Sequence, residues 1–380
     1  MMRKTFLAFF LILLLVLLTA CTTTPTPTPG PEVSPTPSPA TSNEQGAVHR
    51  PAAVPGTVYW PHLQTREPLA LTADTPHGYL AEQHLLFMND YLPERIAFSY
   101  RELDAAMWIV EELLAMGYTW YDIEVQTFSG DDVAGSPWGW GQIVHPFDIG
   151  DHLLRDYSQN VILTVPGQSA YTIVVGAHYD GLLYPGASDN ASGTVLLLES
   201  AQRMLHLDNY YTIVYVFFGA EEIGLFGAYY YVDRLSDEEL DAIVLMVNAD
   251  VLLDGDTLFY AAGYVDFDTP WGEAEVNART ELLDQIADDL NAQYDMGLTA
   301  IPEGVYLPSD HLPFLAMGHT VMVLFGAELV DGGFAGNFYL DVFHSPRDDV
   351  HYLRANMPGR IERGMWVFST FLENVLLQQS

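Results

Sequence analysis

The chain has 380 residues, and 49% of them are hydrophobic, so it is long enough to bury a large core. Its formal net charge is −36, and Lys4 is the only lysine. Because such an anionic surface repels polyanions, nucleic acids and anionic lipid headgroups are disfavoured as partners.

The N-terminus has the pattern of an export signal. Arg3 and Lys4 precede an apolar stretch at 6–18 that is too short to span a bilayer comfortably. The following LTAC at 18–21 resembles a bacterial lipoprotein cleavage box. Cys21, the only cysteine, is therefore predicted to carry the lipid after removal of a signal peptide at 1–20. The alternative is an ordinary secretory signal with an incidental cysteine. Lipidation would make the protein extracytoplasmic and anchored to the cell membrane or envelope.

Residues 21–56 are rich in Thr, Pro and Ser, with TPTPTP and SPTPSP runs. Such a composition cannot bury a core and favours extended conformations, so this segment is predicted to be a disordered tether. We expect a single globular domain over 57–380.

Strand-like and helical segments alternate along this domain. The alternation predicts an α/β fold with three layers, α/β/α, around a mixed, mostly parallel central sheet. Apolar residues at helical spacing, followed by Gly117, predict a helix at 102–116. Further helices are predicted at 194–207, from Gly224, at 273–293 and at 356–377. Strands are predicted at 123–128, 160–165, 171–177, 211–218, 242–247, 257–262 and 320–325. Residues 129–156 are interpreted as an irregular insertion, in which Trp138 and Trp140 either line a pocket or pack locally.

Acidic residues and histidines follow several of the predicted strands. In parallel sheets, functional groups collect at the carboxyl ends of the strands. Ionisable groups buried there carry a desolvation cost, which a bound cation offsets. The residues in this pattern are His178, Asp180, Asp189, Glu221, Glu222, Asp250 and His344.

The residue types favour a metal site. Two imidazoles and three carboxylates, without cysteine, suit zinc, or else manganese or cobalt. Five ligands exceed the three that one catalytic zinc takes, but they suit two ions that share a carboxylate. In the adjacent pair, either Glu221 or Glu222 could bind metal while the other accepts a proton from water. Taken singly, each residue has a plainer explanation, such as a helix cap for Asp189.

Six segments carry a more specific resemblance. They are GAHYDG (176–181), SDNASG (188–193), FFGAEEIGLFGAYYYV (217–232), VNAD (247–250), SDHLPF (309–314) and FHSPRDD (343–349). In these segments the chain resembles the co-catalytic two-zinc aminopeptidases, a family that includes secreted aminopeptidases of Vibrio and Streptomyces. A looser similarity extends over roughly residues 80–375.

The resemblance implies a role for each residue of the site. It implies that His178 and Asp250 bind one zinc, that Glu222 and His344 bind the other, and that Asp189 bridges both. Glu221 would then be the general base. The substrates would be peptides or proteins with a free N-terminus.

The resemblance also implies supporting roles. Asp180 would orient His178 through a hydrogen bond, and Asp348 would act similarly near His344. Tyr306 matches a family tyrosine that steadies the tetrahedral intermediate, although it could equally be an aromatic of the pocket wall. Asp310 and His311 are expected to support the site structurally.

Three alternatives stay open. A glutaminyl cyclase shares this architecture but uses one zinc, and typically has Ser after the bridging aspartate and Trp before the last histidine. Here Asn190 follows Asp189 and Phe343 precedes His344, which favours the peptidase. The others are a carboxypeptidase or amidohydrolase on the same scaffold, and a non-catalytic ectodomain. Retention of the five ligands and Glu221 argues against the last.

Overall fold

The computed structural model describes residues 71–72, 74–134, 154–266, 273–275, 278–301, 308–329 and 338–378. The helices are α1 Tyr79–Tyr91, α2 Tyr100–Met116, α3 Gly130–Ala134, α4 Ser192–Met204, α5 Phe226–Arg234, α6 Asp237–Ala242, α7 Ala278–Tyr294, α8 Leu312–Ala316, α9 Val350–Asn356 and α10 Arg360–Leu376. A π-helical turn, Ala187–Ala191, precedes α4. The strands are β1 Ile123–Ser129, β2 Tyr157–Val165, β3 Thr172–His178, β4 Thr212–Phe218, β5 Ile243–Ala249, β6 Thr257–Asp266, β7 Glu273–Glu275, β8 Leu298–Ala300, β9 Val321–Leu329 and β10 Phe338–Tyr339.

The strands of the described residues form one ten-stranded mixed sheet. Its main order is β1-β2-β4-β3-β5-β9-β6-β7, with β10 paired to β9 and β8 to β6. The central strands β4, β3, β5 and β9 run parallel, whereas β1, β2 and β6 join antiparallel. The predicted α/β fold is confirmed, and its parallel part is the centre of the sheet.

Both faces of the sheet are covered, because the central strands are apolar on both sides. On one face, alternate residues such as Ile173 and Val175 join the main core with helices α1, α2, α4, α7 and α10. On the other face, the ring of Phe218 lies 6.0 Å from that of Tyr231 in α5, which lies 6.0 Å from Phe314 in α8. Because β3, β4 and β5 run parallel, their carboxyl ends all lie at one edge of the sheet.

Two predicted helices begin or end differently in the structure. Residues 273–275 are not helical but form β7, which pairs antiparallel with β6, so α7 begins only at Ala278. The predicted helix at 356–377 is interrupted: Asn356 ends α9, and α10 begins at Arg360. Pro358 cannot continue a helix, and Gly359 has a φ of 87°.

Smaller differences occur at other helix starts. The helix predicted from Gly224 begins at Phe226, because Gly224 and Leu225 both have positive φ angles. Within the insertion predicted at 129–156, Ser129 belongs to β1 and residues 130–134 form α3. Helices α1 and α6 were not predicted. The latter has a capping box between Ser236 and Glu239.

Several predictions fall outside the described residues. They concern the signal at 1–20, Cys21, the tether at 21–56, Trp138, Trp140 and Tyr306. Within the described ranges, no helix combines the length and hydrophobicity needed to cross a bilayer.

Candidate metal centre

Three of the predicted site segments lie at the carboxyl ends of neighbouring strands. His178 is the last residue of β3, Asp250 directly follows β5, and Glu221 and Glu222 follow β4 after a two-residue turn. Since β4, β3 and β5 are adjacent and parallel, these side chains converge at one edge of the sheet. Two loops bring the remaining residues, Asp189 and His344, to the same edge.

The first ligand group surrounds His178. Its Nε2 lies 3.2 Å from Oδ1 of Asp250 and 3.3 Å from Oδ1 of Asp189. One ligand atom from each of the three residues lies within 4.8 Å of the others. Each side chain is at most 12% exposed, so the carboxylates are largely withheld from water.

The second ligand group surrounds His344. Its Nε2 lies 3.1 Å from Oδ2 of Asp189 and 3.3 Å from Oε2 of Glu222, and these three residues satisfy the same 4.8 Å criterion. Asp189 belongs to both groups, with one carboxylate oxygen directed to each histidine. The structure thus brings together all five residues that were predicted as metal ligands.

Glu221 borders the first group without belonging to either. Its Oε2 lies 3.9 Å from His178 Nε2. Burial raises the pKa of the Glu221 carboxyl well above its ordinary value, although the charge of His178 acts in the opposite direction. A carboxylate that lies beside a ligand group but outside it is placed to exchange a proton with a molecule bound there.

The electrostatics of the cluster suit a cation. Burial and the nearby charge of Asp189 raise the pKa of Glu222 to about 7. Burial alone would lower the pKa of His344, but Asp189 and Glu222 raise it to about 11. Carboxylates this close together are unstable neighbours unless positive charge lies between them. With two imidazoles and three carboxylates, the donor set fits zinc.

Asp180 holds the segment that follows β4. Its two carboxylate oxygens accept hydrogen bonds from the backbone N–H groups of Glu221, at 3.0 Å, and Glu222, at 3.2 Å. Its Oδ1 also lies 3.5 Å from Nδ1 of His178, at the outer limit of hydrogen bonding. Asp180 is fully buried. It contacts Glu221, the candidate base, as well as His178 of the first group and Glu222 of the second, and so it links the ends of β3 and β4.

Asp348 lies beneath the Asp189 loop. Its carboxylate accepts hydrogen bonds from the backbone N–H groups of Ser188, at 2.5 Å, and Asp189, at 3.0 Å. Asp348 was expected to orient His344. In the structure its carboxylate instead binds these two amides, because the turn before α9 passes under the π-helical turn. Asp348 therefore positions Asp189.

Asp310 and His311 are both fully buried, and Asp310 interacts electrostatically with His178 and Asp250 of the first group. The preceding Ser309 accepts a hydrogen bond from Nδ2 of Asn248, in β5, at 2.9 Å. Asn248 lies two residues before Asp250, so this bond ties the segment at 309–311 to the strand that carries a ligand. The contact is consistent with the structural support expected from the sequence.

Arg95 is a residue of the site that sequence reasoning missed. Its buried guanidinium donates hydrogen bonds to the backbone carbonyls of Leu92, Tyr179, Pro185 and Gly186, at 2.6 to 3.1 Å. The last three belong to the loop between His178 and Asp189. No local pattern marks this arginine, because its acceptors are main-chain groups up to 91 residues away.

The second group opens to a shallow pocket. Leu182 and Tyr184, from the loop after β3, line this pocket together with Asp189, Glu222 and His344. The rings of Phe343 and His344 are stacked, with centroids 3.6 Å apart.

Comparison with known proteins identifies the family. A family model described as peptidase family M28 matches residues 160–369, which include every proposed ligand. The chain is 42% identical over 81 residues to aminopeptidase YwaD of Bacillus subtilis, covering 21% of this chain and 18% of that protein. It is 39% identical over 100 residues to the probable lipoprotein aminopeptidase LpqL of Mycobacterium tuberculosis, covering 25% and 20%. Each alignment spans a fifth of the relative or less.

Solved structures share the fold. A zinc aminopeptidase from Bacillus subtilis, BSAP, superposes with a TM-score of 0.60 at 18% identity, over 80% of this chain and 97% of that chain. A glutaminyl cyclase from an Acidobacteriales bacterium superposes with a TM-score of 0.52 at 22% identity, over 80% and 98%. The family predicted from the six sequence segments is confirmed: the chain belongs to peptidase family M28.

Proposed function

We propose that this chain is a zinc metallo-aminopeptidase that hydrolyses the N-terminal peptide bond of peptides or proteins with a free N-terminus. The single observation that carries the proposal is the position of Asp189, with one oxygen near each histidine of two ligand groups. A carboxylate shared between two three-residue groups suits a two-metal hydrolase. Membership of peptidase family M28 also supports a peptide-hydrolysing function.

Each ligand group would hold one zinc ion, or manganese or cobalt in its place. His178 and Asp250 would hold one ion, Glu222 and His344 the other, and Asp189 would bridge them. When bound, the two ions would supply Lewis-acid polarisation of the scissile carbonyl and a lowered pKa for the attacking water.

Glu221 would act as the general base. It lies beside the first group with a raised pKa, so it would take a proton from the attacking water and return it to the departing amine. Asp180 would hold Glu221 and Glu222 in position by accepting hydrogen bonds from their backbone N–H groups. Tyr306, outside the described residues, is proposed to donate a hydrogen bond to the oxygen of the attacked carbonyl.

The cellular setting belongs to the same proposal. We infer a signal peptide at 1–20, a lipid on Cys21, a tether at 21–56 and a catalytic domain at 57–380. The protein would then work outside the cytoplasm, anchored to the membrane or envelope. The similarity to a relative named as a probable lipoprotein aminopeptidase supports this arrangement.

The test compares aminoacyl chromogenic substrates with free and blocked N-termini. We expect hydrolysis of the free substrates only, loss of activity with a chelator, and recovery with zinc. Glu221→Gln should lower kcat by about a hundredfold or more while retaining both metal ions. Glu238→Gln, at an exposed position on α6, is the control and should match the unmodified protein. Full activity in Glu221→Gln would overturn the mechanism.

The glutaminyl cyclase reading is favoured by one observation, the fold shared with a solved cyclase. It differs in metal content and product. A single ion per chain, together with cyclisation of an N-terminal glutamine, would replace the aminopeptidase proposal. Activity on substrates with a blocked N-terminus would instead point to a carboxypeptidase or amidohydrolase.

A further inference from the structure

His344 is held in an unusual backbone conformation. Its φ angle is 49°, in the left-handed region, which residues with a Cβ atom seldom adopt. It lies in a loop between β10 and α9, and its side chain is 38% exposed. Neither a strand nor deep burial fixes this histidine, so its position must come from contacts made by the residues beside it.

Asp254 supplies those contacts. Its fully buried carboxylate accepts hydrogen bonds through Oδ1 from the backbone N–H groups of Val342, at 2.5 Å, and Phe343, at 3.1 Å. Its backbone carbonyl accepts a third bond, from the N–H of Asp341, at 3.2 Å. Three consecutive amides leading to His344 are therefore bound by one residue, which lies between β5 and β6, four residues after Asp250.

The same arrangement recurs twice at this site. Asp180 accepts the N–H groups of Glu221 and Glu222, and Asp348 accepts those of Ser188 and Asp189. In all three cases a buried carboxylate binds two successive amides, and the segment so bound carries or adjoins a proposed ligand. Asp254 does the same for the segment that leads to His344, at Val342 and Phe343.

The loop has a second support that does not involve Asp254. Arg360 in α10 lies 3.4 Å from a carboxylate oxygen of Asp341, and it also pairs with Asp256 and Glu328. Removing the Asp254 carboxylate should therefore leave the start of the loop attached to α10. The expected consequence is local. The turn at 342–344 loses the hydrogen bonds that hold its backbone, and the imidazole of His344 is no longer held at one position.

We infer that Asp254 is a positioning residue that sets the His344 imidazole against Asp189 and Glu222. The inference rests on the proposed function, in which these three residues hold an ion. Because Asp254 belongs to neither ligand group, we infer that it acts on the site through His344.

Cobalt titration of the metal-free protein, followed by visible absorption, tests this inference. The Asp254→Leu variant should weaken the His344-dependent ion by about tenfold or more, as loss of outer hydrogen bonds does in other metal sites. Binding at His178 should stay within about threefold. Asp254→Asn retains one oxygen acceptor, so it should lose less affinity for this ion than Asp254→Leu does. Asp288→Asn changes an exposed acid on α7 and is the control.

A double-mutant cycle with His344→Ala separates positioning from a general effect on folding. Asp254→Leu should cause no further loss of metal affinity in the His344→Ala background. Additive losses in that background, or equal weakening of both ions in Asp254→Leu alone, would overturn the inference. If the unmodified protein binds one ion only, the two-zinc proposal fails. The cycle still decides whether Asp254 acts through His344.

Discussion

His344 Nε2 lies 3.1 Å from Oδ2 of Asp189, whose other oxygen faces His178. One side chain therefore couples two ligand groups whose other members lie up to 155 residues away in the sequence. Because Asp189 is shared, its loss should affect both groups, whereas loss of any other ligand should affect mainly one.

Metal content should follow this asymmetry. We expect Asp189→Ala to bind fewer than one ion per chain, because both groups lose a carboxylate. Asp250→Ala should retain the ion at Glu222 and His344. Elemental analysis after removal of loosely bound metal would measure the difference. Equal metal content in the two variants would contradict a bridging role for Asp189.

Asp180→Asn should impair the site more than the loss of one charge suggests. An amide presents one oxygen and one NH₂ group to the two backbone N–H groups of Glu221 and Glu222, so one donor would face another. The free energy of unfolding should fall by about 1–3 kcal/mol. Because the base and one ligand are displaced together, kcat should fall by about tenfold or more.

Urea unfolding and steady-state kinetics would measure these two effects. Asp90→Asn, which removes the charge of an acid paired with His351 at the surface, is the control. If Asp180→Asn kept the kcat of the unmodified protein, the carboxylate would be dispensable for positioning.

Removal of metal should destabilise the folded protein. Without cations, the ionised groups around Asp189 face one another in a buried cluster, and Glu222 already has a pKa raised to about 7. An ion present at about a hundred times its dissociation constant stabilises the folded state by about 2.7 kcal/mol. A chelator should therefore lower the midpoint of thermal unfolding of the unmodified protein.

The Asp189→Ala variant supplies the control for that measurement. It should bind metal poorly, so the chelator should shift its unfolding midpoint little. An equal shift in both proteins would show that the chelator acts away from this cluster.

The residues at the strand ends were predictable from sequence because the signal is local. An apolar run followed directly by His178 or Asp250 marks both a buried strand and the edge where it ends. The acidic pair Glu221 and Glu222 follows the same rule. Parallel pairing of neighbouring strands then brings these positions together without further information.

The supporting contacts were not predictable, because their partners are distant in sequence. Arg95 donates to Gly186 across 91 residues, and Asp254 accepts from Val342 across 88. Each binds main-chain groups, which every sequence supplies, so no residue pattern identifies the pairing. The helix predicted at 273–293 failed at its start for a similar reason. Pairing of β7 with β6 depends on the sheet and not on the local sequence.

Asp104, in α2, provides a pH-dependent prediction away from the metal centre. Burial raises the pKa of its carboxyl to about 6 from an ordinary value of 3.8, while Arg101 and Arg155 act in the opposite direction. The folded chain therefore binds this proton more tightly than the unfolded chain does. Ionisation consequently costs stability as the pH rises from about 4 to about 6, and the cost is constant above that range.

Asp104→Asn should remove this cost. The variant should exceed the unmodified protein in free energy of unfolding by about 1 kcal/mol at pH 8, a value reduced because the side chain is partly screened by solvent. The difference should shrink as the pH falls toward 4, because the carboxyl of the unfolded chain, with its ordinary pKa of 3.8, then becomes protonated as well. Urea unfolding at pH 4.5, 6 and 8 (roughly spanning that window) would measure it, with exposed Asp288→Asn as control. A gain that is the same at every pH would mean that the effect does not come from ionisation of Asp104.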